Sequence, residues 1–279
     1  MKSQSFLGCL LVALASLLAG GCATTRTTAA GAVGVDRGQT MLVSSAEVNR
    51  SAAKAYQDTM LEARAKNRLN RDLRQLERVR SIAGRLIPAA GVFRNDAPTW
   101  RWEVNVIASN ELNAWCMPGG KMAVYSGLIE QLQLTDDELA GVMGHEIAHA
   151  LREHGREKAS QSAGLNVASS IGGALIGAYF GVDASLGQSI LGTVGDLAFM
   201  RPNSREMEQE ADRIGVELAA RAGYNPSAAI SLWEKMGRAS RGQPPQWLST
   251  HPSHESRVAD LRVFAQRVEP LYLAARRSP

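Results

Sequence analysis

The sequence predicts an α+β domain, mostly helical, with a small β-sheet set next to one helix of distinctive chemistry. Three observations lead there. Leu61, Leu69, Leu73, Leu76, Val79, Ile82 and Leu86 form a helical stripe between Ser44 and Leu86, enough for two or three amphipathic helices. Trp102, Val104 and Val106 alternate with polar Glu103 and Asn105, and Met122 to Tyr125 is a second apolar run, so short strands are expected at both places. Thr135-Asp136-Asp137-Glu138 then reads as a capping box, opening a helix whose apolar positions are Leu139, Val142, Met143, Ile147 and Ala150.

That helix carries His145-Glu146-Ile147-Ala148-His149. Residues i and i+4 of a helix share a face with Cβ atoms roughly 5–6 Å apart, so both imidazoles can converge on one ion about 2.0–2.1 Å from each nitrogen. Glu146 beside them is placed to take a proton from water activated at a metal, the chemistry of a zinc peptidase. Arg152 and Gly155 follow, so the extended pattern with a third His past a Gly is not met. The candidate source of a third ligand is Ser204 to Asp212, where Glu206, Glu208, Glu210 and Asp212 crowd into a helix continued by Ile214, Val216 and Leu218. Glu208 and Asp212 share a helical face, which suits Glu208 as metal ligand and Asp212 as acceptor of the free N–H of His145. Glu206 and Glu210 are expected to be solvated, and His154, five positions past His149, to lie on the surface.

A further segment, Ser249 to Arg257, is a turn marked by Pro252 and Ser253, followed by a helix through Val258, Leu261, Val263 and Phe264. Four motifs now stand together: His-Glu-x-x-His, Ser-Arg-x-x-Glu-x-x-Ala-Asp, Thr-His-Pro with an Arg six residues after the His, and Asn113-Ala114-Trp115-Cys116-Met117-Pro118-Gly119-Gly120. Running from Asn113 to Arg257, they resemble the zinc metallopeptidases of the Ste-type CAAX prenyl endopeptidase, HtpX and Oma type, above all the short bacterial lipoprotein members. The resemblance implies a zincin-like metallopeptidase domain with one Zn2+ per chain, held by His145, His149 and Glu208, with Glu146 as general base. It places His251 and Arg257 near the scissile carbonyl as stabilisers of the oxyanion, with His251 alternatively a fourth zinc ligand at rest. No role for His254 follows. Asn113, Ala114, Pro118, Gly119 and Gly120 are candidates for substrate binding at an edge strand or its rim, or else for a Pro-Gly turn joining two strands.

At the amino terminus, Met1-Lys2 precedes an apolar run from Phe6 to Ala19 that ends in Leu18-Ala19-Gly20-Gly21-Cys22. Residues 1–21 read as a lipoprotein signal peptide, 22–43 as a lipidated Cys22 and tether, and 44–279 as the zinc metallopeptidase domain. An ordinary secretory signal and an uncleaved anchor are the rivals, although the run is short of the roughly 20 residues of a comfortable span. Ala23 rather than Asp follows Cys22, and resemblance to bacterial lipoproteins then favours the outer membrane, facing the periplasm. Cys9 would leave with the signal, so Cys116 stands alone as a buried structural thiol rather than a nucleophile, and no disulfide forms. Gly164 to Phe199 is apolar and Gly-rich, open to reading as a membrane hairpin, as a helical pair covering the cleft, or as a gate. Asn225-Pro226 opens another helix.

Net charge is +4, with ten basic and five acidic residues between Ser44 and Arg85. That excess suits helix solvation or an anionic lipid surface, and export excludes nucleic acid as a partner. Resemblance and compartment together imply an endopeptidase acting on misfolded or unassembled envelope polypeptides, attached to the membrane by its lipid, with outer-membrane assembly machinery as a candidate partner. The rival class is a zinc-bound chaperone or assembly factor that holds unfolded chains and cuts little. A structural zinc protein would leave Glu146 without a purpose.

Overall fold

The computed structural model describes residues 24–163, 202–239, 246–251 and 255–277. The signal segment with Cys22, the apolar stretch 164–199 and His254 lie outside the described residues. A two-stranded antiparallel pair, β1 (Thr24–Thr25) and β2 (Gln39–Thr40), comes first. Ser44 then starts α1 (Ser45–Ala65) by accepting from the amide of Glu47, and Asp72 starts α2 (Leu73–Ala89) by accepting from Arg74 and Gln75. α2 buries Leu76, Val79, Ile82, Ala83 and Leu86, as its periodicity predicts. Leu61 and Leu73 of the expected stripe are instead 60% and 66% exposed. Asn67 and Asn70 take left-handed conformations between the helices, which breaks the stripe into two faces, and α1 buries Val48, Ala52, Tyr56, Met60 and Ala63.

β3 (Glu103–Ile107), β4 (Ala114–Met117) and β5 (Lys121–Tyr125) form one sheet in the order β3-β5-β4. β3 runs parallel to β5, with Val104 opposite Met122, and β4 runs antiparallel to it, with Cys116 opposite Met122. β4 is therefore an outer strand. Gly119 and Gly120, at φ +77° and +79°, make the turn from β4 to β5, and a Cβ on Gly120 would stand 2.6 Å from the Trp102 ring.

After α3 (Ser126–Gln131), the predicted capping box at Thr135 opens α4 (Asp136–Leu151), the metal-motif helix. α4 lies against β4 and crosses α5 (Arg205–Arg221) where Gly144 meets Gly215. A Cβ on Gly144 would come within 2.8 Å of the Gly215 carbonyl, so only this pair lets the two backbones touch beside His145. α6 (Ala228–Ala239), the short α7 (Gln246–Thr250) and α8 (Glu255–Arg277) complete the domain. The architecture is α+β and mostly helical, with its core between α4, α5 and α8 around Met143, Ile147, Ile214 and Leu261.

The tether reading of 22–43 needs correction, because residues 24–43 lie on the domain as a strap. Val33 and Val35 are buried, Ala29 N donates to the Phe93 carbonyl (2.8 Å), and Val33 N donates to Glu217 Oε2 (2.9 Å). Two valines supply the apolar anchorage that a Thr-, Ala- and Gly-rich composition conceals. Among the described residues no helix is long and apolar enough to cross a membrane.

Candidate metal centre

α4 presents His145 and His149 on one buried face, α5 presents Glu208 opposite them, and His251 follows the end of α7. The Nε2 atoms of His145 and His149 are 3.0 Å apart, and His251 Nδ1 lies 3.2 Å from the first. Glu208 Oε1 stands 3.0 Å from His251 Nδ1 and 3.3 Å from His149 Nε2. Donors around a tetrahedral ion at about 2.0–2.1 Å sit about 3.3 Å apart. The four groups therefore have the spacing of a zinc shell, and they were found to gather within 4.8 Å of one another. Glu208 Oε2 is buried in ion-pair contact with Arg257 Nη1 (2.7 Å), yet without an aligned hydrogen bond. Nitrogen and carboxylate donors facing one another in this way fit a divalent cation.

The outer contacts fix the tautomers. His145 Nδ1 lies 3.0 Å from Asp212 Oδ1, and a carboxylate can only accept, so Nδ1 carries a proton and Nε2 is the ring nitrogen turned to the cluster. Burial opposes ionisation of Asp212, but the charge and hydrogen bonds of Arg257 outweigh it and hold the carboxyl below its usual range. His149 is arranged likewise through a longer path. Its Nδ1 is 2.7 Å from His154 Nδ1, and His154 Nε2 is 3.0 Å from Glu210 Oε2. Burial holds both rings below the usual histidine range, against the pull of Glu208 on His149 and of Glu210 on His154. Neutral His154 must donate to Glu210 through Nε2, so its Nδ1 accepts, His149 Nδ1 donates, and His149 Nε2 faces the cluster unprotonated.

Two expectations from spacing fail here. His154 is 1% exposed rather than on the surface, because α4 ends at Leu151 and Glu153 turns the chain through a left-handed φ of 50°, folding His154 back onto His149. Glu210 is buried rather than solvated, where it meets Arg37, Arg152 and His154. Burial pushes Glu210 upward, but the hydrogen bonds from His154 and Arg37 and the charge of Arg152 bring it down to about 2. Glu206 is exposed as expected.

Arg257 also departs from its expected place at the oxyanion. It is 1% exposed, and its Nε and Nη2 donate to Asp212 Oδ2 (2.6 Å) and Oδ1 (2.7 Å). Its guanidinium thus stands behind Asp212 and Glu208, facing away from the cleft. Glu146 Oε1 accepts from Trp247 Nε1 at 2.7 Å and lies 3.5 Å from His251 Nε2. Trp247 in turn stacks on His251 with centroids 4.8 Å apart. Trp247 and Asn203, whose Nδ2 donates to Glu208 Oε1 (2.7 Å), are functional neighbours that no motif spacing singles out. A buried-sized aromatic next to the Thr-His-Pro segment was the available signal for Trp247.

A cavity of about 300 Å³ opens on this cluster, walled on one side by Asn113 to Pro118 and on the other by Glu146, His149, Lys158 and His251. Asn113, Ala114 and Pro118 thus line this cavity, while Gly119 and Gly120 shape the adjoining turn. Burial brings the Lys158 ammonium down to about 8 against the opposing charges of Glu208 and Glu146. Burial and the nearby Glu146 push the Cys116 thiol up, which suits an inert structural cysteine.

Residues 73–265 match Peptidase family M48. The chain is 41% identical to Metalloendopeptidase OMA1, mitochondrial, of Bos taurus over 167 residues, covering 57% of this chain and 32% of that protein. The Homo sapiens protein of the same name is 40% identical over 164 residues, 56% of this chain and 31% of that one. The Beta-barrel assembly-enhancing protease of Escherichia coli (strain K12) is 33% identical over 175 residues, 60% and 35% of the two chains. The chain thus matches about a third of the length of these curated relatives. Since the matched segment spans more than half of the sequence and contains all four side chains of the metal group, the chain belongs to peptidase family M48, a family of zinc metalloproteases.

Proposed function

We propose that the chain hydrolyses internal peptide bonds of unfolded or misfolded polypeptides, with zinc held by His145, His149 and Glu208 and with Glu146 as general base. The observation that carries this reading is the placement of Glu146, His149 and His251 in one cavity whose opposite wall is the outer strand β4, with His145 and Glu208 gathered beside them. When bound, zinc supplies a Lewis acid that polarises a carbonyl and makes water more acidic. Glu146 Oε1 is held by Trp247, and the carboxylate takes the proton of the attacking water and returns it to the leaving amine. An extended substrate segment would pair its main chain with β4 along Ala114, between Asn113 and Pro118, with Gly119 and Gly120 closing the strand.

His251 is assigned two uses. Its Nδ1 belongs to the four-donor set as the chain now stands, which closes the shell; withdrawn from it, the imidazole, whose Nε2 lies 3.5 Å from Glu146 Oε1, would stabilise the oxyanion. Arg257 and Asp212 act behind the ligands, positioning Glu208 and His145.

Residues 44–279 form the peptidase domain in this reading, with 1–21 a lipoprotein signal and Cys22 the lipid attachment. These sequence features, and similarity to a bacterial protein named for β-barrel assembly, support an outer-membrane lipoprotein facing the periplasm. Misfolded or unassembled envelope proteins would be the substrates and outer-membrane assembly machinery a partner, in a quality-control role. The closed four-donor set favours one second reading, a zinc-bound chaperone or assembly factor that seldom cuts.

Cleavage of casein by the zinc-loaded chain, beside Glu146→Gln and a chelated sample, decides between the two. Glu146→Gln is expected to keep zinc and fold while losing activity by about 10²–10⁴-fold. Absence of cleavage by the folded, zinc-loaded wild type would favour the chaperone.

A further inference from the structure

The strap at residues 24–43 lies outside the segment 73–265 that defines family membership, yet it reaches the back of the metal centre. Arg37 on this strap forms a bidentate contact with Glu210, Nε to Oε1 at 2.6 Å and Nη2 to Oε2 at 3.2 Å. Its other face is held by Glu157, Nη1 to Oε1 at 2.6 Å and Nη2 to Oε2 at 2.9 Å. The same Glu210 Oε2 accepts from His154 Nε2, whose ring accepts from His149. Fully buried Arg152 backs this arrangement, donating through Nε to Glu210 Oε2 (2.9 Å) and through Nη2 to the Arg37 carbonyl (2.9 Å). Gln39 adds a contact to the Arg152 carbonyl at 2.7 Å.

We infer that Arg37 is a positioning residue for the metal centre: it fixes Glu210, which orients His154, which holds the His149 proton on Nδ1 and so aims the Nε2 lone pair at the ion. A metal-ligating histidine requires its remote N–H to be held, and partners in that outer layer typically change metal affinity by about 10–100-fold. Here the outer layer is extended by one imidazole and one carboxylate, and its last member comes from a segment more than a hundred residues away in sequence. Without Arg37, Glu210 keeps Arg152 but loses its bidentate clamp, and rotation of its carboxylate releases His154 to exchange tautomers. The strap thereby reaches the ligand histidine through one contact, that of Arg37 with Glu210.

This inference rests on His149 being a ligand, so the test carries His149→Ala as a separate arm. Zinc affinity of the full chain would be measured by competition with a chromophoric chelator, and the imidazole ¹⁵N shifts of His149 and His154 would be recorded in the metal-free protein. Arg37→Ala is expected to weaken zinc binding by about tenfold, the low end of that range, and to move the His149 shifts toward a mixture of tautomers. Arg37→Lys, which keeps a cation for Glu210, should recover part of both. Glu157→Gln, which removes the charge on the other face of Arg37 but leaves both Arg37 contacts to Glu210, should leave the His149 tautomer unchanged.

Unchanged zinc affinity and unchanged shifts in folded Arg37→Ala would overturn the inference. So would equal effects of Arg37→Ala and Glu157→Gln, which would reduce Arg37 to a strap anchor. Should Arg37→Ala fail to fold, Arg37→Gln provides the comparison with the aliphatic stem kept and the charged fork removed. Zinc binding that survives His149→Ala would instead sink the ligand assignment itself.

Discussion

At Arg257 a single side chain decides between two uses of the same sequence motif. A guanidinium at the oxyanion would face the cleft, whereas this one is buried against Asp212 and Glu208 and stacks 4.1 Å over the Trp233 ring. Removing one partner of a buried ion pair costs about 3–5 kcal/mol, because the charges left behind stay buried and unpaired. Arg257→Ala is therefore expected to lose stability on that scale in urea unfolding of the metal-free protein, with Arg257→Lys intermediate. Full stability combined with a fall in kcat would return Arg257 to the oxyanion. The residue scale also shows where spacing reached its limit. Fixed helical offsets correctly brought Glu208 and Asp212 onto one face beside His145, since an α-helix is rigid over a turn or two. His154 escaped the same treatment because its place depends on a left-handed turn at Glu153, and no offset encodes a turn.

At the scale of elements, α4 owes its register to its first turn. Thr135 Oγ1 accepts from Glu138 N at 3.3 Å while Glu138 Oε2 accepts from Thr135 N at 2.8 Å, the reciprocal cap that the sequence announces. Glu138 also accepts from Lys235 Nζ (2.7 Å) and Ser231 Oγ (2.8 Å), tying α6 to the start of the metal helix. That second role was invisible in sequence, because it joins residues almost a hundred positions apart. Burial raises the Glu138 carboxyl, but the contacts from Lys235, Thr135 and Ser231 outweigh it and leave it below its ordinary value of 4.5. A depressed folded-state carboxyl contributes stability that is fully present above 4.5 and is lost as pH falls through the lower folded value. Glu138→Gln should accordingly be less stable than wild type at neutral pH, with the difference shrinking once pH drops below 4.5. Urea midpoints of the two metal-free proteins across that range test this, and a constant difference would assign the loss to packing alone.

Across the whole molecule, the proposed metal is the point where distant parts of the chain meet: two ligands from α4, one from α5 and His251 after α7. The helix-borne part of this meeting could be read from motifs, and so could the outer strand beside it. The docking of the strap could not, since its anchors are two valines, an arginine and a glutamine spread through a segment whose composition reads as a tether. α7 is the element most dependent on the centre. It has five residues, too few for a stable helix alone, and is held by His251 at the cluster, Trp247 on Glu146 and the Asn203 amide on the Thr250 carbonyl (3.0 Å). A ligand that binds only the folded state, at about 100 times its dissociation constant, stabilises by about 2.7 kcal/mol, or about 5–10 °C for a domain of this size. Chelation of zinc should lower the melting temperature by that amount. Hydrogen exchange should then accelerate first at the His251 amide, which donates to the Trp247 carbonyl (2.9 Å), and at Asn203, while the α4–α5 crossing at Gly144 and Gly215 stays protected. Acceleration that begins at the α4–α5 crossing would place the metal's stabilising effect in the two ligand helices and remove α7 from the resting shell.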